Sequence, residues 1–162
     1  MAGIVEADRI ISAHQKQAPV ETVEIAEALG IKVYKAGNWP ENLSAMIRLD
    51  AERGGESGYA IYVNAKHPRV RRRFSIAHEI AHFALHRNLI GDGITDDALY
   101  RSNMSNAVEA QANRMAADIL MPWHLIGEAT DQGINTVEAL AQHFDVSKST
   151  MSIQLGVPYE NS

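Results

Sequence analysis

The spacing of apolar residues divides the chain into segments of helical and of strand character. Apolar positions recur every three to four residues in 4–16 and 21–29, which predicts two amphipathic helices. Apolar and polar residues alternate in 31–34, and two more short strand-like segments follow at 44–49 and 58–63. A Gly-Gly turn separates the last two segments and predicts a hairpin, so we expect a small antiparallel sheet of three strands.

Two longer helices are predicted in the middle of the chain. Residues 74–86 are mostly Phe, Ile, Ala and Leu without Gly, and Pro68 suits the start of their helix. Residues 106–121 form an Ala-rich helix that Pro122 forces to end. The intervening stretch, 88–105, has little periodicity and is predicted to be a loop.

The C-terminal region has the pattern of a helix-turn-helix over residues 139–155. Asp145 and the following valine suit the turn, and Ser147 suits the N-cap of the second helix. That helix carries one base, Lys148, whereas phosphate contacts normally dominate DNA affinity. A helical hairpin packed on the rest of the chain is therefore the favoured interpretation, with DNA contact as the alternative.

The chain is long enough to form one compact domain, with 162 residues of which 46% are hydrophobic. The predicted elements group as N-terminal helices and a small sheet (1–66), the two long helices (67–122) and the C-terminal hairpin (123–162). The predicted fold class is therefore α+β, mostly helical, with a small three-stranded sheet.

Charge and composition exclude several classes of protein. The net charge is −5 and the pI is about 5.8, which argues against broad electrostatic binding of nucleic acid. The chain has no Cys and hence no disulfide, thiolate metal site or Cys nucleophile. Charged residues interrupt residues 1–18, which argues against a signal peptide, and no apolar run has the length of a membrane span. We therefore expect a cytoplasmic protein.

The sequence His-Glu-Ile-Ala-His at residues 78–82 lies inside the first long helix. At a spacing of four residues, His78 and His82 project from the same helical face and can reach one metal ion. Glu79 is adjacent and can act as a general base toward a water at that ion. Buried imidazoles and a carboxylate among so many apolar residues need a partner, and a metal would provide it.

A third protein ligand is expected, because catalytic zinc usually has three. His86 continues the same stripe, but a straight helix carries it about 12 Å from His78 along the axis, too far to share one ion. We therefore expect His86 to support a ligand, to face the substrate or to be structural. Glu109 is the better candidate, since it is an acid on the otherwise core-like face of the second long helix. Asn113, one turn later, could hydrogen-bond a ligating His. The alternative is that Glu109 only complements the dipole of its helix.

These segments resemble the ImmA/IrrE family of zinc metallo-endopeptidases. The resemblance is carried by Arg-Arg-Phe-Ser-Ile-Ala-His-Glu-Ile-Ala-His-Phe-Ala-Leu-His at 72–86, Glu-Ala-Gln-Ala-Asn at 109–113 and Ala-Ala-Asp-Ile-Leu-Met-Pro at 116–122. It covers roughly residues 18–158 and implies a zincin-like metallopeptidase fold, so we expect a single metallopeptidase domain over 1–162. It further implies His78, His82 and Glu109 as Zn²⁺ ligands and Glu79 as the catalytic base.

The resemblance also suggests partners. The family includes peptidases encoded by phages or mobile elements that cleave repressors, regulators of the DNA damage response, and toxin-like partners of helix-turn-helix antitoxins. It implies a protein substrate such as a helix-turn-helix repressor or antitoxin. The alternative function is a transcriptional regulator or toxin-like interaction module of the same fold, with a structural or vestigial metal site.

Other features of the sequence leave their roles open. Tyr59, Tyr62, Tyr100, Arg101 and His124 are each candidates to stabilise an oxyanion, and nothing in the sequence chooses among them. Two further interpretations concern ranges rather than single residues. The strand at 58–63 is either an edge that pairs with an extended substrate or an ordinary covered strand. The arginines at 71–73 are expected to form a solvated basic face rather than to anchor an acidic substrate.

Overall fold

The computed structural model describes residues 3–91, 93–97 and 105–158, with backbone only at 94–97. Its elements in chain order are helices α1 (Ile4–Ala13) and α2 (Thr22–Ala28), strands β1 (Lys32–Ala36), β2 (Leu43–Leu49) and β3 (Tyr59–Asn64), helices α3 (Arg69–Leu85) and α4 (Arg87–Ile90), strand β4 (Ile94–Asp97), and helices α5 (Asn106–Leu120), α6 (Trp123–Asp131), α7 (Val137–Phe144) and α8 (Lys148–Leu155). The α+β class and the mostly helical character are confirmed.

The sheet contains the three predicted strands and gains a fourth, in the order β1-β3-β2-β4. The predicted hairpin of β2 and β3 is antiparallel, but β1 runs parallel to β3, so the expectation of a wholly antiparallel sheet is wrong. After β1 the chain forms β2, which is not its neighbour in the sheet, and β3 then lies between β1 and β2. Alternation along one strand does not encode which neighbour it pairs with or in which direction.

The central place of β3 excludes it as a docking edge. Its backbone is hydrogen-bonded to β1 on one side and to β2 on the other, and both faces are largely covered. The interpretation of residues 58–63 as an edge strand is therefore wrong. The segment predicted as a loop at 88–105 includes most of α4, which begins at Arg87, and all of β4. The oxyanion candidates Tyr100 and Arg101 lie outside the described residues.

Local signals in the sequence account for the ends of the helices that carry the candidate site. Pro68 is the N-cap of α3; its side chain cannot accept a hydrogen bond, but its missing N–H removes one of the unpaired donors of the first turn. The Ser105 side chain accepts a hydrogen bond from the backbone N–H of Val108 and so caps α5, which ends at Leu120, two residues before Pro122. Helix α3 packs against α5 on one side and against β2 and β3 on the other. It is therefore the central element of the fold.

The C-terminal hairpin is attached to α3 through Arg73. The guanidinium of Arg73 donates to the carbonyl oxygens of Asp145 at 3.0 Å and Phe144 at 3.3 Å, and it lies 3.4 Å from the Asp145 carboxylate. These carbonyls belong to the end of α7 and the turn that follows it, where Asp145 has φ 57°. Arg73 is buried, so the prediction of a solvated basic face is wrong at this position.

The hairpin itself has the predicted caps and is packed against the body of the chain. Ser147 accepts from the N–H of Thr150 and begins α8, as predicted. Met151 of α8 is fully buried, and the Gln154 amide donates to the carbonyl of Met121 at 3.1 Å. In the part of the chain that the structure describes, no helix combines the length and apolar character needed to cross a membrane.

We predict that Arg73→Met destabilises the protein far more than Arg69→Ala. Both arginines contact Asp145, but the Arg73 side chain is 11% exposed and that of Arg69 is 72% exposed. Methionine keeps the apolar stem and leaves the Phe144 and Asp145 oxygens without their charged donor, at a cost of about 2–3 kcal/mol. Loss of the exposed pair should cost at most about 1 kcal/mol. Free energies of unfolding from urea titrations test this, and equal losses in the two variants would contradict it.

Candidate metal centre

The packing of α3 against α5 brings together three of the side chains singled out from the sequence. His78 and His82, one turn apart on α3, both direct Nε2 toward the carboxylate of Glu109 in the first turn of α5. His78 Nε2 lies 3.2 Å from Glu109 Oε2, and His82 Nε2 lies 3.1 Å from Glu109 Oε1. All three residues are buried, and their candidate ligand atoms lie within 4.8 Å of one another. Among the described residues, this is the group that could hold a metal ion.

The geometry and chemistry of the group fit a metal. Two imidazole nitrogens and one carboxylate oxygen are a common donor set for a catalytic zinc, which leaves a fourth position open. Ligand atoms about 2.0–2.1 Å from a tetrahedral ion are separated by about 3.3 Å, close to the two separations found here. The donors therefore need little movement to surround an ion.

The protonation of the group also suits a cation. Burial lowers the pKa of His82 and favours the neutral imidazole that a metal requires, although the hydrogen bond with Glu109 acts in the opposite direction. Burial by itself would raise the pKa of Glu109, but hydrogen bonds and charge from His78 and His82 outweigh it and hold that pKa well below its ordinary value. Neutral imidazole and ionised carboxylate are the forms that bind metal.

The other nitrogen of each candidate ligand is held by a further side chain. His78 Nδ1 lies 2.8 Å from Asn113 Oδ1, which is the contact suggested for Asn113 from the sequence. His82 Nδ1 lies 3.0 Å from His86 Nδ1. His86 is thus beside His82 on the side away from Glu109, in a supporting position, and α3 ends at Leu85 just before it.

Glu79, the candidate base, is completely buried on α3 and lies between the two histidines in sequence.

The candidates for stabilising an oxyanion have different surroundings. Tyr62 donates to the carboxylate of Asp50, and His124 Nε2 lies 2.8 Å from the carbonyl oxygen of Gln15. Tyr59 is buried with its ring edge-on to Phe83. These contacts give none of the three tyrosine and histidine candidates an evident oxyanion role.

One contact of the centre was missed in the sequence. Gln111 Oε1 lies 2.8 Å from His86 Nε2, although Gln111 is an exposed residue of α5. It stands two positions after Glu109, and residues two apart on a helix do not share a face. Helical periodicity therefore places Gln111 on a different face from Glu109. Its long side chain nevertheless contacts His86.

We predict that Glu109→Ala sharply weakens binding of Zn²⁺ and Co²⁺, because it removes the one anionic donor of the group. Glu138→Ala is the matched control, since Glu138 is an exposed first-turn glutamate of α7 and tests the helix-dipole explanation. Equilibrium dialysis with metal analysis measures the affinity of both variants for Zn²⁺ and Co²⁺. Stoichiometric metal at unchanged affinity in Glu109→Ala would remove Glu109 from the ligand set.

Comparison with known proteins gives the family and the fold of this chain. The chain resembles the solved structure of a Mycobacterium tuberculosis transcriptional regulator with a TM-score of 0.63 and 18% identity, over 97% of this chain and 47% of the other. At that identity the likeness concerns the fold, and this chain spans about half the length of that protein. No curated protein matches. The family model described as the IrrE N-terminal-like domain of the peptidase M78 family matches residues 26–155, and the chain belongs to this family.

Proposed function

We propose that this protein is a zinc-dependent endopeptidase that cuts a protein substrate. The observation that carries the proposal is the buried group of His78, His82 and Glu109, with Glu79 next to His78 in the same helix. Membership of a peptidase family supports hydrolysis of a peptide bond as the reaction class. The protein substrate, the metal identity and the roles of single residues belong to the proposal.

Zinc is the proposed metal because of the donor set. His78 and His82 provide imidazole nitrogen, Glu109 provides carboxylate oxygen, and the absence of Cys leaves no thiolate for softer metals. When bound, zinc supplies a Lewis acid that lowers the pKa of water and polarises the peptide carbonyl. Asn113 and His86 keep the imidazole rings of His78 and His82 in the required orientation.

Glu79 is the proposed general base. Its carboxylate accepts a proton from the attacking water and then delivers it to the leaving amine nitrogen of the substrate. Glu79 is adjacent to the ligand His78 in α3, which suits a base that acts on water at the metal.

The proposed substrate class is a helix-turn-helix regulator, either a repressor or an antitoxin-like partner. This rests on the resemblance of residues 72–86 and 109–122 to peptidases with such substrates. The acidic net charge of −5 complements the basic surface that DNA-binding regulators present. A substrate that is released from DNA before cleavage would expose that basic surface.

A second candidate is a transcriptional regulator whose metal site is structural. The observation in its favour is that the structurally similar Mycobacterium tuberculosis protein is named a transcriptional regulator. Against it, α8 buries Met151 and Ser152 against the body of the chain, and the net charge is negative. Gel-shift titrations with promoter fragments at low and high salt separate the two: a complex that weakens steeply with salt would favour the regulator.

We predict that Glu79→Gln keeps zinc and loses peptide hydrolysis by about 10²–10⁴-fold, because the amide cannot accept the proton of the water. A proteome-derived peptide mixture is incubated with zinc-loaded protein, and new N-termini are counted by mass spectrometry. Glu138→Gln is the control for the chemical change at an exposed position. Cleavage of the same peptides at the wild-type rate by Glu79→Gln would refute the mechanism.

A further inference from the structure

A chain of three side chains leads away from the metal-binding nitrogen of His82. His82 Nδ1 and His86 Nδ1 are 3.0 Å apart, and His86 Nε2 is 2.8 Å from Gln111 Oε1. His82 and His86 are 0% and 5% exposed, so both imidazoles are shielded from bulk solvent. The chain ends at Gln111 on the surface of α5, the helix that also provides Glu109.

The positions of the protons along this chain are interdependent. A neutral imidazole has one N–H donor and one acceptor nitrogen. If His82 is to offer the lone pair of Nε2 to a cation, its proton must be on Nδ1. His86 Nδ1 must then accept that proton in a hydrogen bond, because two N–H groups cannot face each other at 3.0 Å. The proton of His86 is consequently on Nε2, and this N–H donates a hydrogen bond to Gln111 Oε1.

The opposite arrangement of protons prevents His82 from binding a metal. If His86 carried its proton on Nδ1, it would donate to His82, and the proton of His82 would be on Nε2. That proton would point at Glu109 Oε1, 3.1 Å away, and would occupy the lone pair that the metal needs. The acceptor Gln111 Oε1 beside His86 Nε2 favours the arrangement with the His82 proton on Nδ1. A donor at that place would favour the arrangement with the His82 proton on Nε2.

We infer that Gln111 is a positioning residue for the metal centre, which acts through His86 to hold the proton of His82 on Nδ1. The inference rests on the proposed function, since it concerns the metal ligand His82. His78 needs no such relay because Asn113 contacts its Nδ1 directly, at 2.8 Å. The two ligands are thus oriented by amides of the same helix, one in direct contact and one through an intervening imidazole.

The test compares substitutions of Gln111 that differ in hydrogen-bonding capacity. Gln111→Leu keeps the approximate shape without an acceptor, and Gln111→Glu keeps the acceptor. Zinc dissociation constants are measured by competition with a chromophoric chelator. We expect Gln111→Leu to bind zinc about tenfold more weakly than wild type, as for other residues that support a metal ligand, and Gln111→Glu to retain wild-type affinity. Gln142→Leu, at an exposed position of α7, is the control and should leave affinity unchanged.

A spectroscopic readout separates hydrogen bonding from packing. Long-range ¹H–¹⁵N correlation spectra of the metal-free protein report which nitrogen of each histidine carries the proton. Without metal, Glu109 competes for the proton of His82, so we expect the fraction of His86 protonated on Nε2 to be higher in wild type and Gln111→Glu than in Gln111→Leu. Unchanged tautomers together with wild-type zinc affinity in Gln111→Leu would overturn the inference, as would equal weakening by Leu and Glu.

Failure of the proposed function has a different signature. Wild-type protein that binds no zinc, or Glu109→Ala that binds it as tightly as wild type, would refute the metal centre whatever Gln111 does. Wild-type zinc binding that depends on Glu109 but not on Gln111 would refute the positioning role alone. Thermal midpoints of the metal-free variants show that each is folded, which is expected because Gln111 is exposed.

Discussion

The burial of ionisable side chains between α3 and α5 is the constraint on which the rest of the structure depends. Isolated charges in an apolar interior are strongly unfavourable, so the two histidines and the glutamate can be buried only together. Both helices supply fully buried alanines, Ala77 and Ala81 from α3 and Ala112 and Ala116 from α5. Small side chains permit the short distance between helices that brings imidazole and carboxylate to about 3 Å.

The same constraint explains why the centre includes more than its ligands. Each imidazole has a second nitrogen that also needs a partner once it is buried. Asn113 and His86 fill these positions, and His86 in turn is satisfied by Gln111. Polar contacts therefore extend from the centre until they reach the exposed surface of α5, and each member restricts the proton positions of the next.

Helix α3 connects this centre to the sheet and to the C-terminal hairpin. On its sheet side it packs against β2 and β3, and β3 is a central strand with neighbours on both sides. At its first turns, Arg73 satisfies the carbonyls at the end of α7 and fixes the C-terminal hairpin. The segment with the helix-turn-helix pattern is therefore packed on the rest of the chain, with its second helix partly buried.

The sequence by itself determined the features that depend on local spacing. The pair His78 and His82, the carboxylate Glu109 on an alanine-rich face, and the caps Pro68 and Ser147 all follow from helical periodicity or from neighbouring residues. Only the tertiary structure decided the parallel pairing of β1 with β3, the burial of Arg73 and the contact of Gln111 with His86. Each of these depends on partners far away in sequence, because strand order and the reach of a long side chain are set by how the elements pack.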